Sequence, residues 1–160
     1  MFECFRMPSA GLDTENELQD ALRAKNRRLI WQLIKRGDDV NVTGEQGITP
    51  LHFAAGDGSQ DLVLELLSRQ AKIDAVLEDG RTPLHSAARK GHTNVVETLI
   101  QHRANVDAQD SRGMTPLHLA TAEKKESAAL RLIQHGASLA IRDSVSPEWI
   151  SPVLNFATVE

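Results

Sequence analysis

The stretch TPLHFAAGDG, residues 49–58, sets His52 beside Thr49 and Pro50, with Asp57 a few positions on. A histidine can ligate zinc or move a proton near neutral pH, and a carboxylate can orient it. The same opening recurs as TPLHSAARKG from Thr82 and TPLHLATAEK from Thr115, 33 residues apart each time. His52, His85 and His118 therefore form the first candidate set. Equivalent positions in stacked helical units lie about one interhelix spacing apart, roughly 8–10 Å. Ligands of one zinc sit about 2 Å from the metal, so three such histidines cannot share it. A fixed period marks an architectural unit. Each imidazole is expected to hydrogen-bond its own helix start and the adjacent loop.

Other chemistry fails on spacing. Asp57-Gly58-Ser59-Gln60-Asp61 lacks the alternating acidic ligands and distal bidentate Glu of a calcium loop. Gly44 and Gly47 follow no strand and precede no Gly-Lys-Ser/Thr, so they form no phosphate-binding loop. No Ser or Cys sits in a nucleophile motif. The sequence reading is of a protein that is not an enzyme and uses neither cofactor nor metal.

The elements that position these residues repeat with them. Thr49, Thr82 and Thr115 suit helix N-caps, and Pro50, Pro83 and Pro116 the first helical turn, where the missing donor costs nothing. Ala54-Ala55 and Ala87-Ala88 leave room for a neighbouring helix. Gly58 and Gly91 end the first helix. A second helix follows, with Leu62, Val63, Leu66 and Leu67 at core spacing, repeated as Val95, Val96, Leu99 and Ile100, then Ala128, Ala129, Leu132 and Ile133. Short extended pieces (AKIDAVLEDG, ANVDAQDSRG) lead to the next Thr. No unit covers its own apolar face, so the units must stack.

These residues resemble the ankyrin repeat, in the TPLH openings, the alanine pairs and the period. The resemblance implies an all-α solenoid of stacked helix-turn-helix units with β-hairpin-like fingers. It divides the chain into a flexible N-terminus (1–12), an N-terminal capping repeat (13–43), three repeats (44–76, 77–109, 110–142) and a partial C-terminal capping repeat (143–160). In the cap, Leu29, Ile30, Leu33 and Ile34 are expected in the core, with Arg23, Lys25, Arg27 and Arg28 on a solvated outer face. Lys124 and Lys125 replace the Gly91-His92 pair in the last full copy. A Lys in left-handed backbone costs on the order of 1 kcal/mol, so the helix there is expected to run on or the loop to adjust. Gln70 and Arg103 likewise stand where Gly37 and Gly136 do.

Composition narrows the class. The 160 residues are 41% hydrophobic yet 4% aromatic, so aliphatic and small residues must do the packing. A formal charge of -4 argues against a phosphate-driven nucleic-acid binder. Cys4 is the one cysteine, which rules out an intrachain disulfide. No apolar run reaches the ~20 residues that cross a membrane. The expectation is an intracellular protein, cytoplasmic or nuclear, a monomer, with no membrane or nucleic-acid partner.

Function then rests on residues the fold does not demand. In proteins with this resemblance the partner lies against finger tips and first helices. Those positions are Glu45, Gln46, Ile48, Phe53 and Asp57; then Asp79, Arg81, Ser86, Arg89 and Lys90; then Arg112, Met114, Leu119 and Glu123. Phe53, Ser86 and Leu119 form one row inside TPLHxA. Apolar groups beside Arg81, Arg89 and Arg112 suit a partner segment with apolar anchors and some acidic residues. The alternative is that Phe53 and Leu119 are half-buried against their own fingers. Trp31, Leu64, Glu97 and Leu130 form a second row, read as a wider core, a back-face contact or a self-association surface. The leading function is a non-enzymatic adaptor that binds a protein partner. The alternative is an inhibitor or regulatory subunit of an enzyme such as a kinase, since short ankyrin-repeat inhibitors of cyclin-dependent kinases are similar in length and fold. Asn41, in Asp39-Val40-Asn41 after Leu33, resembles the ankyrin hairpin sequence hydroxylated by the asparaginyl hydroxylase that acts on hypoxia-inducible factor; a turn-forming Asn is the competing reading.

Overall fold

The computed structural model describes residues 14–141, so the expectations for 1–12 and 143–160 lie outside the described residues. Eight helices follow in four pairs: α1 (Thr14–Arg23) with α2 (Arg27–Arg36), α3 (Pro50–Asp57) with α4 (Gln60–Ser68), α5 (Pro83–Lys90) with α6 (Thr93–Gln101), and α7 (Pro116–Ala122) with α8 (Glu126–Gln134). The members of each pair pack together, α3, α5 and α7 pack in series, and so do α4, α6 and α8. No strand occurs among the described residues. This is the all-α solenoid that the sequence implied.

Helices this short are marginal in water alone, so packing must hold them. One continuous core runs from Leu18 to Ala137. Ala54, Ala55, Ala87, Ala88 and Ala120 are fully buried between successive first helices, where a larger side chain would force the backbones apart. Leu62, Val63 and Leu66, with their counterparts in α6 and α8, are buried as expected, while Leu67, Ile100 and Ile133 pack half-buried against them.

The first pair departs from expectation twice. Leu29 stands at the register of Leu62, Val95 and Ala128 but is 36% exposed. It lines an outward depression of about 450 Å³ whose other walls are Glu17, Asp20, Gln32, Leu33 and Arg36, all on α1 and α2. Among the described residues only those of α1 and α2 line it. Arg23 and Arg27, expected on the outer face, instead reach toward the second unit: Arg23 Nη2 lies 2.8 Å from Glu45 Oε1 and Arg27 Nη1 3.5 Å from Asp57 Oδ2. Exposed pairs of this kind contribute at most about 1 kcal/mol. Lys35 bridges the same joint to Glu65 at 2.9 Å, and Arg69 closes on Glu65 at 2.8 Å. Hydrogen bonds from Lys35 first and Arg69 second hold the Glu65 carboxyl below its usual range.

The period also appears in the backbone. Left-handed residues occur at Lys25, Gly58, Gly91 and Lys124, again at Gly37, Gln70, Arg103 and Gly136, and at Gly47, Gly80 and Gly113. Within each set the spacing is 33. The expectation that α7 would run on past Lys124 or that the loop would adjust is corrected. The helix ends at Ala122 and Lys124 takes φ +55°, so the turn is kept and the lysine accepts the left-handed conformation. Stacking fixes the turn, because the next helix must return at the same place in every unit.

Gly58 has a second reason to be glycine. At φ +77° it needs no Cβ, and a Cβ there would fall 2.7 Å from Nδ1 of His92. His92 lies over this turn from the next unit, its Nε2 3.1 Å from the Gly56 carbonyl. Gly136, at φ +85°, has nothing within 4 Å of its Cβ position. Gly136→Ala should therefore lose only the backbone term of roughly 1 kcal/mol, and Gly58→Ala more. In urea unfolding, the excess should vanish in the His92→Ala background; equal losses at both glycines would contradict the contact.

Candidate protein-binding surface

Each TPLH histidine is locked into its helix start. Nδ1 accepts the backbone N–H of the capping Thr at 3.4, 3.1 and 3.1 Å and lies 2.9, 2.9 and 2.8 Å from its hydroxyl, for His52, His85 and His118 in turn. An accepting Nδ1 leaves the proton on Nε2. His52 Nε2 then donates to the Arg81 carbonyl at 3.0 Å and His85 Nε2 to the Met114 carbonyl at 2.9 Å. Both acceptors belong to the next finger. The imidazoles thus bond their own helix start and the adjacent loop, as expected, and neither ring nitrogen of His52 or His85 has a lone pair left for a metal. Burial pushes both imidazoles down from their ordinary value, against smaller raising effects from these backbone carbonyls.

The fingers form a second series. The N–H at Gly44, Leu77 and Asp110 donates to the carbonyl of Ile48, Arg81 and Met114 at 2.7, 2.9 and 2.9 Å, closing three equivalent hairpins. Successive tips join: Glu78 N–H donates to the Gln46 carbonyl at 3.0 Å and Ser111 N–H to that of Asp79 at 2.9 Å. At the base of the fingers Asn41, Asp74 and Asp107 accept from the N–H of Lys72, Asn105 and Ser138 at 2.8, 3.0 and 2.8 Å. Asn41 is therefore more than a turn residue. Its amide ties the first unit to the second.

Against this frame the expected binding residues separate. Phe53 is half-buried and packs on the core, Ser86 is half-buried at the same register, and Leu119 is 5% exposed. Leu119 is thus corrected from a contact residue to a buried one, because its side chain is enclosed where Phe53 and Ser86 are not. Ile48 and Met114 are half-buried finger residues whose backbones belong to the hairpins. Gln46 is exposed and left-handed at φ +57°. Asp57, paired with Arg27, also accepts the Ser59 hydroxyl. Arg89 is half-buried, Lys90 and Glu123 are exposed, and none of the three has an ion-pair partner among the described residues.

Arg81 needs a correction of its own. It is not an open cation awaiting a partner, since it lies between Asp79, at 3.2 Å, and Asp110, at 3.5 Å. The Asp110 carboxylate is 1% exposed; it accepts N–H bonds from Arg112 and Met114 at 2.9 Å each, with Arg112 Nη2 at 3.6 Å. Arg81 Nε is buried without a hydrogen bond of its own and is offset only by this longer ion pair. Asp110 is the residue that the sequence reading passed over. Its signal was an Asp two residues before Arg112 and four before Met114, the spacing at which a carboxylate caps its own turn.

Trp31 is half-buried beneath the Lys35 ammonium, 5.2 Å from the ring centroid, whereas Leu64 and Leu130 are about two-fifths exposed. The second row is therefore core at one end only. No helix among the described residues is long and apolar enough to cross a membrane.

A family model described as ankyrin repeats, in three copies, matches residues 18–110 and again 58–143. The chain belongs to the ankyrin-repeat family. Ankyrin repeats are generally protein–protein interaction modules on a non-enzymatic fold. No curated protein matches the chain.

Two outcomes follow from the site geometry. His52 and His85 have lowered folded-state values, so the unfolded chain binds protons first as pH falls. Their stabilisation is full above about pH 6.5 and declines below it, by at most about 1.4 kcal/mol per pH unit for each histidine. The urea midpoint should fall between pH 7.5 and 5.5, and His52→Gln/His85→Gln should flatten that slope. Asp110→Ala should cost about 2–4 kcal/mol by stranding buried donors and Arg81, while the half-exposed Asp79→Ala should cost under about 1 kcal/mol. Equal losses in thermal melts would count against Asp110 as the hub.

Proposed function

We propose that the protein is an intracellular, non-enzymatic adaptor that holds a partner protein against its finger tips and first helices. The observation that supports this is the set of side chains left over when the stack is satisfied. Phe53 and Ser86 occupy equal places on α3 and α5 amid fully buried neighbours, and Arg89 follows on α5 with no ion-pair partner among the described residues. A half-buried aromatic beside an arginine suits an interface core with a charged flank. Gln46, Ile48, Asp79, Met114, Arg112 and Glu123 border that row. Leu119 and the paired Arg81 are left out of the contact.

Affinity capture from cell extract with mass spectrometry is the test. Phe53→Ser and, separately, Arg89→Glu should each reduce recovery of the main partner about ten-fold or more, with thermal melts confirming that the variants fold. Unchanged recovery with both folded variants would end this reading. A kinase assay on the captured complex separates the regulatory alternative, because an adaptor leaves activity unaltered. Hydroxylation of Asn41 is proposed on sequence likeness; one added oxygen after coexpression with the asparaginyl hydroxylase is its readout.

A further inference from the structure

We infer that Lys90, Lys124 and Lys125 form a binding edge for a carboxylate-rich, extended segment of a partner protein. The three come from successive units, at the end of α5 and in the turn between α7 and α8. They line one shallow depression of about 410 Å³ with Thr93, Glu126 and Ser127. None has an ion-pair partner among the described residues. In a chain of net charge -4, acids are not in short supply. At the matching edge between the first two units the cation is answered, Arg27 by Asp57. Between the last two units those places hold Thr93 and Glu123, and the lysines beside them have no ion-pair partner among the described residues.

The lysines are also held in place. A Cβ at Gly91 would fall 2.8 Å from Lys125 Cδ, so the Lys125 stem lies directly on the Gly91 backbone and its ammonium is presented at the edge. Lys124 occupies a left-handed position, φ +55°, that glycine fills at Gly58 and Gly91. That conformation is unfavourable for a side chain, and the added charge joins two others of the same sign. The stack requires the turn and not the lysine.

The chemistry of the edge selects the ligand. The Ser127 hydroxyl adds a donor, and α8 begins without a side-chain cap. Carboxylates accept from both kinds of group. Among the described residues no aromatic ring on which a nucleobase can stack lines the depression. An acidic peptide seated at this edge feels the nearby lysines within a screening length of about 8 Å.

This inference rests on the reading of the chain as a protein-binding module, but it uses residues apart from Phe53, so the two can fail separately. The probe is a fluorescein-labelled octaglutamate peptide, titrated with the full chain by fluorescence anisotropy at about 50 and 150 mM NaCl. Saturable binding is expected. Lys90→Glu/Lys124→Glu/Lys125→Glu should weaken it about ten-fold or more. Lys25→Glu/Arg28→Glu/Lys72→Glu, the same change in net charge at other cations without ion-pair partners, should stay within about two-fold, as should Phe53→Ser. The absence of saturable binding at either salt would overturn the inference, as would equal loss in both charge-reversed triples. Tighter binding of an octathymidylate than of octaglutamate would overturn it in favour of a nucleic-acid surface.

Discussion

The architecture depends on the bond from each buried imidazole to the finger of the next unit. His52 and His85 take their orientation from the capping Thr of their own helix and spend their one N–H on a carbonyl 29 residues ahead. Both ends of the ring are engaged, so rotating it breaks a helix start and an inter-unit joint together, while protonating Nδ1 removes the acceptor for the capping Thr N–H. A buried carbonyl left unmet would cost about 1–3 kcal/mol, and the bond recurs at the same place in successive units. What looks like the makings of a metal site is therefore the fastening of a linear stack.

Around that fastening lie three further series: tip to tip between fingers, Asx side chain to backbone N–H at the finger base, and buried alanines between first helices. Each links a unit only to its neighbour, which makes the molecule close to one-dimensional in its energetics. The exposed side chains outside these series and outside the core are the ones free to carry function. This is why the exposed differences between copies matter more than their shared motif. Phe53 and Ser86 differ at one register, and Ser59, His92 and Lys125 differ at another.

The charge distribution follows the same logic. Where two units meet at the fingers, Asp110 gathers two backbone N–H groups and two arginines into a nearly solvent-free knot. Such a knot contributes to register more surely than to net stability, since desolvating charges offsets much of their attraction. Elsewhere the ion pairs lie at the surface and are weak, apart from Arg36–Asp38, whose Asp38 side chain is 6% exposed.

Much of this was legible in the residues. TPLH and its period gave the helix starts, the alanine faces and the core triads, because caps, proline at the first turn and helical spacing are local rules. The imidazole bonds were legible too, since a residue recurring every 33 positions in a stack must touch its neighbours. Local rules failed at Lys124, where they predicted a longer helix or an adjusted loop and the stack imposed a left-handed turn. They failed at Leu119, whose burial depends on what lies across from it, and at Arg81, whose partner Asp110 sits in another finger. The sequence by itself determined what each unit is, because a unit's shape is set by neighbours along the chain. Only the tertiary structure decided which side chains remain for a partner, because exposure is settled between units.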